Sequence, residues 1–248
     1  MTNYKLILCY DGTKYNGWQR LGDTENTIQN RVETLLSRLL EQQVEVIASG
    51  RTDAGVHALR QVCSFKAQTD MSEEEILEGI RRFLPNDIGA VSLEKADPRF
   101  HARYNAVRKT YVYRVMTTYE PAVFERKYVY FFRHEVDVGQ MRLAAALLCG
   151  EHDFSAFTSA KHMTKSAVRR IDSIEIEKKE NGELVLTFTG SGFLRNMVRI
   201  LTGTLLEVGT GRRSAWSIPE VLESRERSNA GFMAPPEGLI LTDVEYPD

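Results

Sequence analysis

The chain has 248 residues, 42% of them hydrophobic and 27% charged, with a formal net charge of −2 at pH 7. That is enough for one large domain or two small lobes around a sizeable core, and the apolar content argues against disorder. No run approaches the ~18 apolar residues that cross a bilayer, and nothing near the N-terminus resembles a signal peptide. Cys9, Cys63 and Cys149 are scattered, without CxxC or Cys/His zinc spacing, so free thiols and a cytoplasmic location are expected.

In chain order, "YKLILCY" (4–10) reads as a buried strand followed by a polar turn through "DGTKYNG". Ile28, Val32, Leu35, Leu36, Leu39 and Leu40 follow the 3.6-residue period of a helix over 26–41, which Asn26 or Thr27 can cap. "VEVIAS" (44–49) and "RQVCSFKA" (60–67) read as strands joined by "SGRTDAGVHA" (49–58). Ser72 and Glu75 have capping-box spacing for a helix to about Leu84. Strands are expected over 88–95 and 109–116. Asp137 with Gln140 starts a helix that Gly150 ends. Asn181-Gly182 turns a hairpin between "IDSIEIEKK" and "LVLTFTGSG". Helices over 193–209 and 217–227, the latter with Pro219 near its start, precede a closing strand at "LILTDVEY". Without regular βαβ alternation, this order predicts an α+β fold with a largely antiparallel sheet. Two lobes, 1–104 and 105–248, are expected to share that sheet.

The net charge does not mark a nucleic-acid binder, but its distribution is informative. Residues 99–127 carry seven Lys/Arg against Glu120 and Glu125, interleaved with Tyr104, Tyr111 and Tyr113; residues 155–171 add Lys161, Lys165, Arg169 and Arg170 with no acid. One such run is an ordinary solvated face, whereas two, one of them with aromatics, favour a polyanion with bases to stack on. Other chemistries fail. "CYDGT" has Cys9 where an aspartyl-phosphate enzyme needs its nucleophile, and "GSGFLR" lacks the third glycine of a dinucleotide fingerprint. Walker A, HExxH and GxSxG are absent. His57, His101, His134, His152 and His162 lack ligand spacing, so no metal is expected. Asp53 remains: Gly50 and Gly55 permit a turn that presents its side chain, and Arg51 can stabilise an anion or a ligand phosphate. On composition alone, an aspartate in a polar turn is more often structural than catalytic.

"SGRTDAGVHA" resembles the signature of the tRNA pseudouridine synthase A family. Six further stretches resemble that family's successive blocks in order: "YDGTKYNGWQ" (10–19), "FHARYNAVRKTYVYRV" (100–115), "GEHDFSAFTSA" (150–160), "AVRRIDSIEI" (167–176), "GSGFLRNMVRILTGTLLEVGTGRRS" (190–214) and "APPEGLILTDVEY" (234–246). The resemblance covers essentially the whole chain. It implies the pseudouridine synthase fold, with an active-site cleft between the lobes, and isomerisation of uridine to pseudouridine in tRNA without metal, nucleotide or redox cofactor.

Carried over by motif, Asp53 is the catalytic nucleophile or base; attack at C1′, addition to the base and removal of a ribose proton all stay open. The resemblance implies that Arg51 fills the vacated space or holds the flipped nucleotide, that Tyr111 stacks on the target base, and that Arg199 keeps Asp53 ionised. On the expected helix Arg195 and Arg199 share a face, while Leu194, Val198, Leu201 and Leu205 form an apolar stripe. Phosphate contacts are assigned to Arg103, Arg108, Lys109, Lys161, Lys165, Arg169, Arg195, Arg212 and Arg213. A homodimer acting on the anticodon stem-loop of tRNA is also implied. Leu21 with "GDTEN", Arg195, and "AGFMAPP" (230–236) depart from the family pattern and leave the target uridine open. A paralogue acting on another RNA site, a non-catalytic RNA-binding protein and a base-releasing hydrolase stand as alternatives.

Overall fold

The computed structural model describes residues 1–119, 123–160 and 166–247. It divides into two compact units, Met1–Val107 with Leu241–Asp248, and Arg108–Ile240.

In the first unit, strand β1 (Thr2–Tyr10) lies between β3 (His57–Ala67) and β4 (Ile88–Lys95), antiparallel to both. Leu6 stands opposite Cys63 on one side and Leu93 on the other. Alternation puts Tyr4, Leu6 and Leu8 on one face, and all three are buried. Helix α1 (Ile28–Leu39) is capped by Thr27, whose hydroxyl accepts from Asn30 N. Helix α2 (Glu73–Phe83) opens with the reciprocal Ser72–Glu75 box. Ile28, Val32 and Leu36 of α1, with Ile76 and Ile80 of α2, are fully buried, each contributing about 1.5–3 kcal/mol.

The strand expected over 44–49 is reduced to β2 (Ile47–Ala48), which pairs with β3. Val44 N donates to Ser37 Oγ and Val46 N to Glu33 Oε1, so side chains of α1 take the donors a strand partner would have taken. The chain returns to this unit within β10 (Leu239–Glu245), beside β3. Val107 N donates to Glu245 O at 2.9 Å, Tyr246 Oη to Ala102 O at 2.7 Å, and the Tyr246 ring packs on Phe100.

In the second unit, β5 (Arg108–Met116), β9 (Glu183–Gly190), β8 (Val168–Lys178) and β7 (Gly150–Asp153) are antiparallel neighbours in that order. The short β6 (Tyr130–Phe131) runs parallel to β5. Gly182, at φ 80, turns the β8–β9 hairpin. Helix α3 (Val138–Leu148), capped by Asp137, packs on β8 and on α4 (Met197–Gly209). Every residue of α4 except Glu207 is buried. Its Thr202 and Thr204 hydroxyls are satisfied by the carbonyls of Val198 and Ile200.

Helix α4 starts four residues later than its periodicity suggests, because Asn196 takes a left-handed conformation at φ 59. Arg195 therefore lies outside the helix and does not share a helical face with Arg199. Helix α5 (Ile218–Ser224) likewise stops early, at Arg225 with φ 55.

The fold is α+β, with mostly antiparallel pairing and helices packed on the strands. The cysteines are free thiols. No described helix is long and apolar enough to cross a membrane. Among the described residues, no group of three or more His, Cys, Asp or Glu could hold a metal ion.

Candidate active site

Asp53 sits half-buried in the loop between β2 and β3, with exposed Arg51 and buried Thr52 before it. The loop is held at every turn. Ser49 Oγ donates to Gln61 Oε1 at 2.7 Å, and Gln61 Nε2 donates to Gly50 O at 3.0 Å and to Tyr10 Oη at 3.2 Å. Tyr10 Oη also lies 2.8 Å from Thr52 Oγ1. Trp18 N donates to Thr52 O, Gly55 N to Tyr15 O, and Val56 N to Asp53 O. Gly55, at φ 79, supplies the left-handed position of this last turn. Gly50 is outside the positive-φ set and contributes its carbonyl.

The segment 11–18 clamps the loop from outside. Gly17, at φ 90, brings its Cα so close that a Cβ would lie 2.8 Å from Thr52 O and 3.1 Å from Asp53 C. Tyr15 Oη donates to Asp87 Oδ1 at 2.6 Å. Burial and that carboxylate push the Tyr15 phenol well up, so it stays a neutral donor. His57 is buried; its Nδ1 accepts from Gly12 N at 3.1 Å and lies 3.3 Å from Asp11 Oδ1. His57 thus anchors the clamp.

Tyr111 and Arg199 belong to the second unit. Tyr111 lies on β5 opposite Phe188, 8% exposed, with the Phe193 ring edge-on at 5.4 Å and 88°. Arg199, also 8% exposed, stands in the first turn of α4. Its Nε donates to Ala234 O at 2.7 Å and its Nη1 to Asn196 Oδ1 at 3.0 Å. Asn196 Nδ2 in turn donates to Ser159 Oγ at 2.7 Å.

The segment 230–235 is strapped along α4. Gly231 N donates to Thr204 Oγ1, Phe232 N to Glu207 Oε1, and Ala234 N to Arg199 O. Any Cβ on Gly203 would collide with the Phe232 carbonyl. Tyr113 Oη donates to Pro235 O at 2.6 Å; burial pushes its phenol up and Glu237 adds to this, with Arg199 opposing. Sequence reasoning missed Asn196, Ser159, Thr204, Glu207 and Ala234. An Asn inside the expected helix, a residue type that favours caps and turns over helix interiors, was the one available signal.

The basic residues differ in their engagements. Arg103, Arg195 and Arg212 are exposed, while Lys109 is half-buried. Arg108 pairs with Asp172, and Arg213 with Glu207, each at 3.2 Å. Arg169, lowered in pKa by burial, donates to the Ser166 and Val168 carbonyls. Lys161 and Lys165 lie outside the described residues.

A family model described as tRNA pseudouridine synthase matches residues 7–105 and 144–247. The chain is 42% identical over 246 residues to a tRNA pseudouridine synthase A 2 of Bacillus cereus strain ZK / E33L, covering 99% of this chain and 100% of the relative. Over the same coverage it is 44% identical to a tRNA pseudouridine synthase A of Bacillus sp. strain KSM-64 and 41% to one of Acetivibrio thermocellus. Among solved structures, a chain of a Cbf5-Nop10-Gar1 complex matches 96% of this chain at 11% identity and a TM-score of 0.39; this chain spans about half of that one, 48%. With the family model matched over most of the sequence and relatives aligned from end to end, the chain belongs to the tRNA pseudouridine synthase family.

Proposed function

We propose that the chain converts uridine to pseudouridine in the anticodon stem-loop of tRNA, with Asp53 as its catalytic residue. In this reading Tyr111 stacks on the extruded uracil, Arg199 keeps the Asp53 carboxylate ionised, and Arg51 holds the flipped nucleotide. As a family member the chain is an RNA pseudouridine synthase, an isomerase. The reaction breaks the N1–C1′ bond, turns the uracil and joins C5 to C1′; C5 loses its proton and N1 gains one, so the change is redox-neutral. Attack on C1′, addition to the base and removal of a ribose proton each require an ionised carboxylate.

The observation that carries the assignment is the frame around Asp53. Its backbone is fixed through Ser49, Gly50, Thr52, Asp53 and Gly55 by Gln61, Tyr10, Tyr15, Trp18 and Val56. These bonds fix the loop's backbone on both sides of residue 53, which supports reading it as a position where a side chain is held in place for chemistry. Arg103, Arg108, Lys109, Lys161, Lys165, Arg169, Arg195 and Arg212 supply phosphate contacts in this reading, while Arg213, expected with them, is less exposed than Arg108 and is assigned to its pair with Glu207; the reading extends to a cytoplasmic homodimer whose mass light scattering would report.

Tritium release from tRNA labelled at uridine C5 tests the proposal. Asp53→Asn and Asp53→Ala should lower the rate by at least ~10²-fold while tRNA retention on filters changes little. Wild-type release by Asp53→Ala would overturn the assignment. Free uracil among the products would mark a hydrolase, and tRNA binding without release a binding protein. Release from tRNA lacking uridines in the anticodon stem-loop would move the target.

A further inference from the structure

We infer that Asn196 is a positioning residue for the reaction, whose side-chain amide holds the Arg199 guanidinium in its working orientation. The inference rests on the reading above that Arg199 serves the catalytic carboxylate.

Asn196 occupies the N-cap position of α4, where an Asn oxygen ordinarily accepts from a backbone N–H of the first turn. It makes no such cap. Its Oδ1 instead accepts from Nη1 of Arg199, three residues on, at 3.0 Å. The backbone explains the redirection. At φ 59 and ψ 9 the residue is left-handed, a conformation that Asn tolerates better than most residues with a Cβ. The same conformation delays the start of the helix.

The geometry is determined from both ends. A guanidinium is planar, so anchoring Nε on Ala234 O and Nη1 on Asn196 Oδ1 fixes the plane and with it the direction of the third nitrogen. Arginine only donates, so the atom facing it must be the amide oxygen. That leaves the Asn196 NH₂ for Ser159 Oγ, at 2.7 Å. Ser159 is tied down separately, its N donating to Arg195 O at 3.3 Å. A buried arginine thus gains a fixed orientation from a neutral neighbour that leaves its charge intact.

The test is a double-mutant cycle read by single-turnover tritium release, with tRNA retention and thermal unfolding measured alongside. Asn196→Gly keeps the left-handed backbone accessible and removes only the amide; Arg199→Lys keeps the charge and removes the fork. Asn196→Gly should slow release roughly tenfold to a hundredfold, with tRNA affinity within about twofold. In the Arg199→Lys background the same change should alter the rate less than about twofold, because no guanidinium remains to be held. Equal losses in both backgrounds would mark a packing role and overturn the inference. A wild-type rate for Asn196→Gly, with Arg199→Lys impaired, would remove Asn196 alone and leave the role of Arg199 standing. A wild-type rate for Arg199→Lys would remove both.

Discussion

Gly17→Ala separates the placement of the Asp53 carboxylate from its mere presence. Gly17 lies at φ 90, where a residue with a Cβ is strained by about 1–3 kcal/mol. The added carbon would stand 2.8 Å from Thr52 O, 3.1 Å from Ala54 N and 3.1 Å from Asp53 C, against the 3.4 Å at which ordinary contact begins. All three neighbours are backbone, so the Asp53 loop must retreat by about half an ångström. A misplacement of about 1 Å costs about 10²-fold in rate, so this shift should slow single-turnover tritium release roughly tenfold. tRNA retention should change by less than about twofold, since no phosphate-binding candidate is touched. Urea unfolding of the same variant should show the strain as a lower midpoint with an unchanged slope. A wild-type rate in a destabilised Gly17→Ala protein would refute the idea that this contact sets the carboxylate's position, and an unchanged midpoint would refute the clash itself.

Tyr111→Ala should weaken productive tRNA binding by about 1–3 kcal/mol, whereas Tyr111→Phe keeps the stacking ring; a Phe variant as impaired in KM as the Ala variant would contradict stacking. Burial pushes the Glu183 carboxyl up, but its bonds from Arg114 and Lys179 outweigh this and hold it below the ordinary 4.5. Its folded value being depressed, that contribution is complete above about 4.5 and is lost as the pH falls through the folded value. The stability gap between wild type and Glu183→Gln should therefore shrink from pH 7 to pH 3.5, and a constant gap in urea midpoints would disprove it. Arg103→Ala should reduce the salt slope of tRNA binding by about 0.7–0.9. Arg213→Ala should leave that slope alone and lower stability by removing the ion-pair partner of Glu207 Oε2; equal slope changes in the two variants would put Arg213 on the RNA.

Periodicity disclosed what depends on one element facing one core. The alternation of β1, the apolar stripe of α1 and the Asn181-Gly182 turn are properties of short windows, and so is the glycine-flanked Asp53 loop. What stayed hidden depends on partners far away in sequence. Nothing local says that Ser37 and Glu33 will take the donors of Val44 and Val46, so the strand over 44–49 shrinks to two residues. Helical periodicity ran through Arg195 because it is blind to the left-handed turn at Asn196. Charge counting cannot distinguish exposed Arg212 from Arg213, which is engaged by Glu207. The need for Gly203 arises only where residue 232 passes over α4.

The return of residues 241–247 to the first unit sets an order of events during synthesis. Residues 108–240 separate the two parts of that unit, so at about 5–20 residues per second the ribosome takes on the order of ten seconds to deliver the missing strand. Throughout that interval β3 lacks β10 beside it, and the seal of Tyr246 on Phe100 and Ala102 is absent. A nascent chain therefore carries an open sheet edge, the kind that chaperones and neighbouring strands engage. By the time the aspartate-bearing unit can close, the arginine helix and its strap have already left the tunnel.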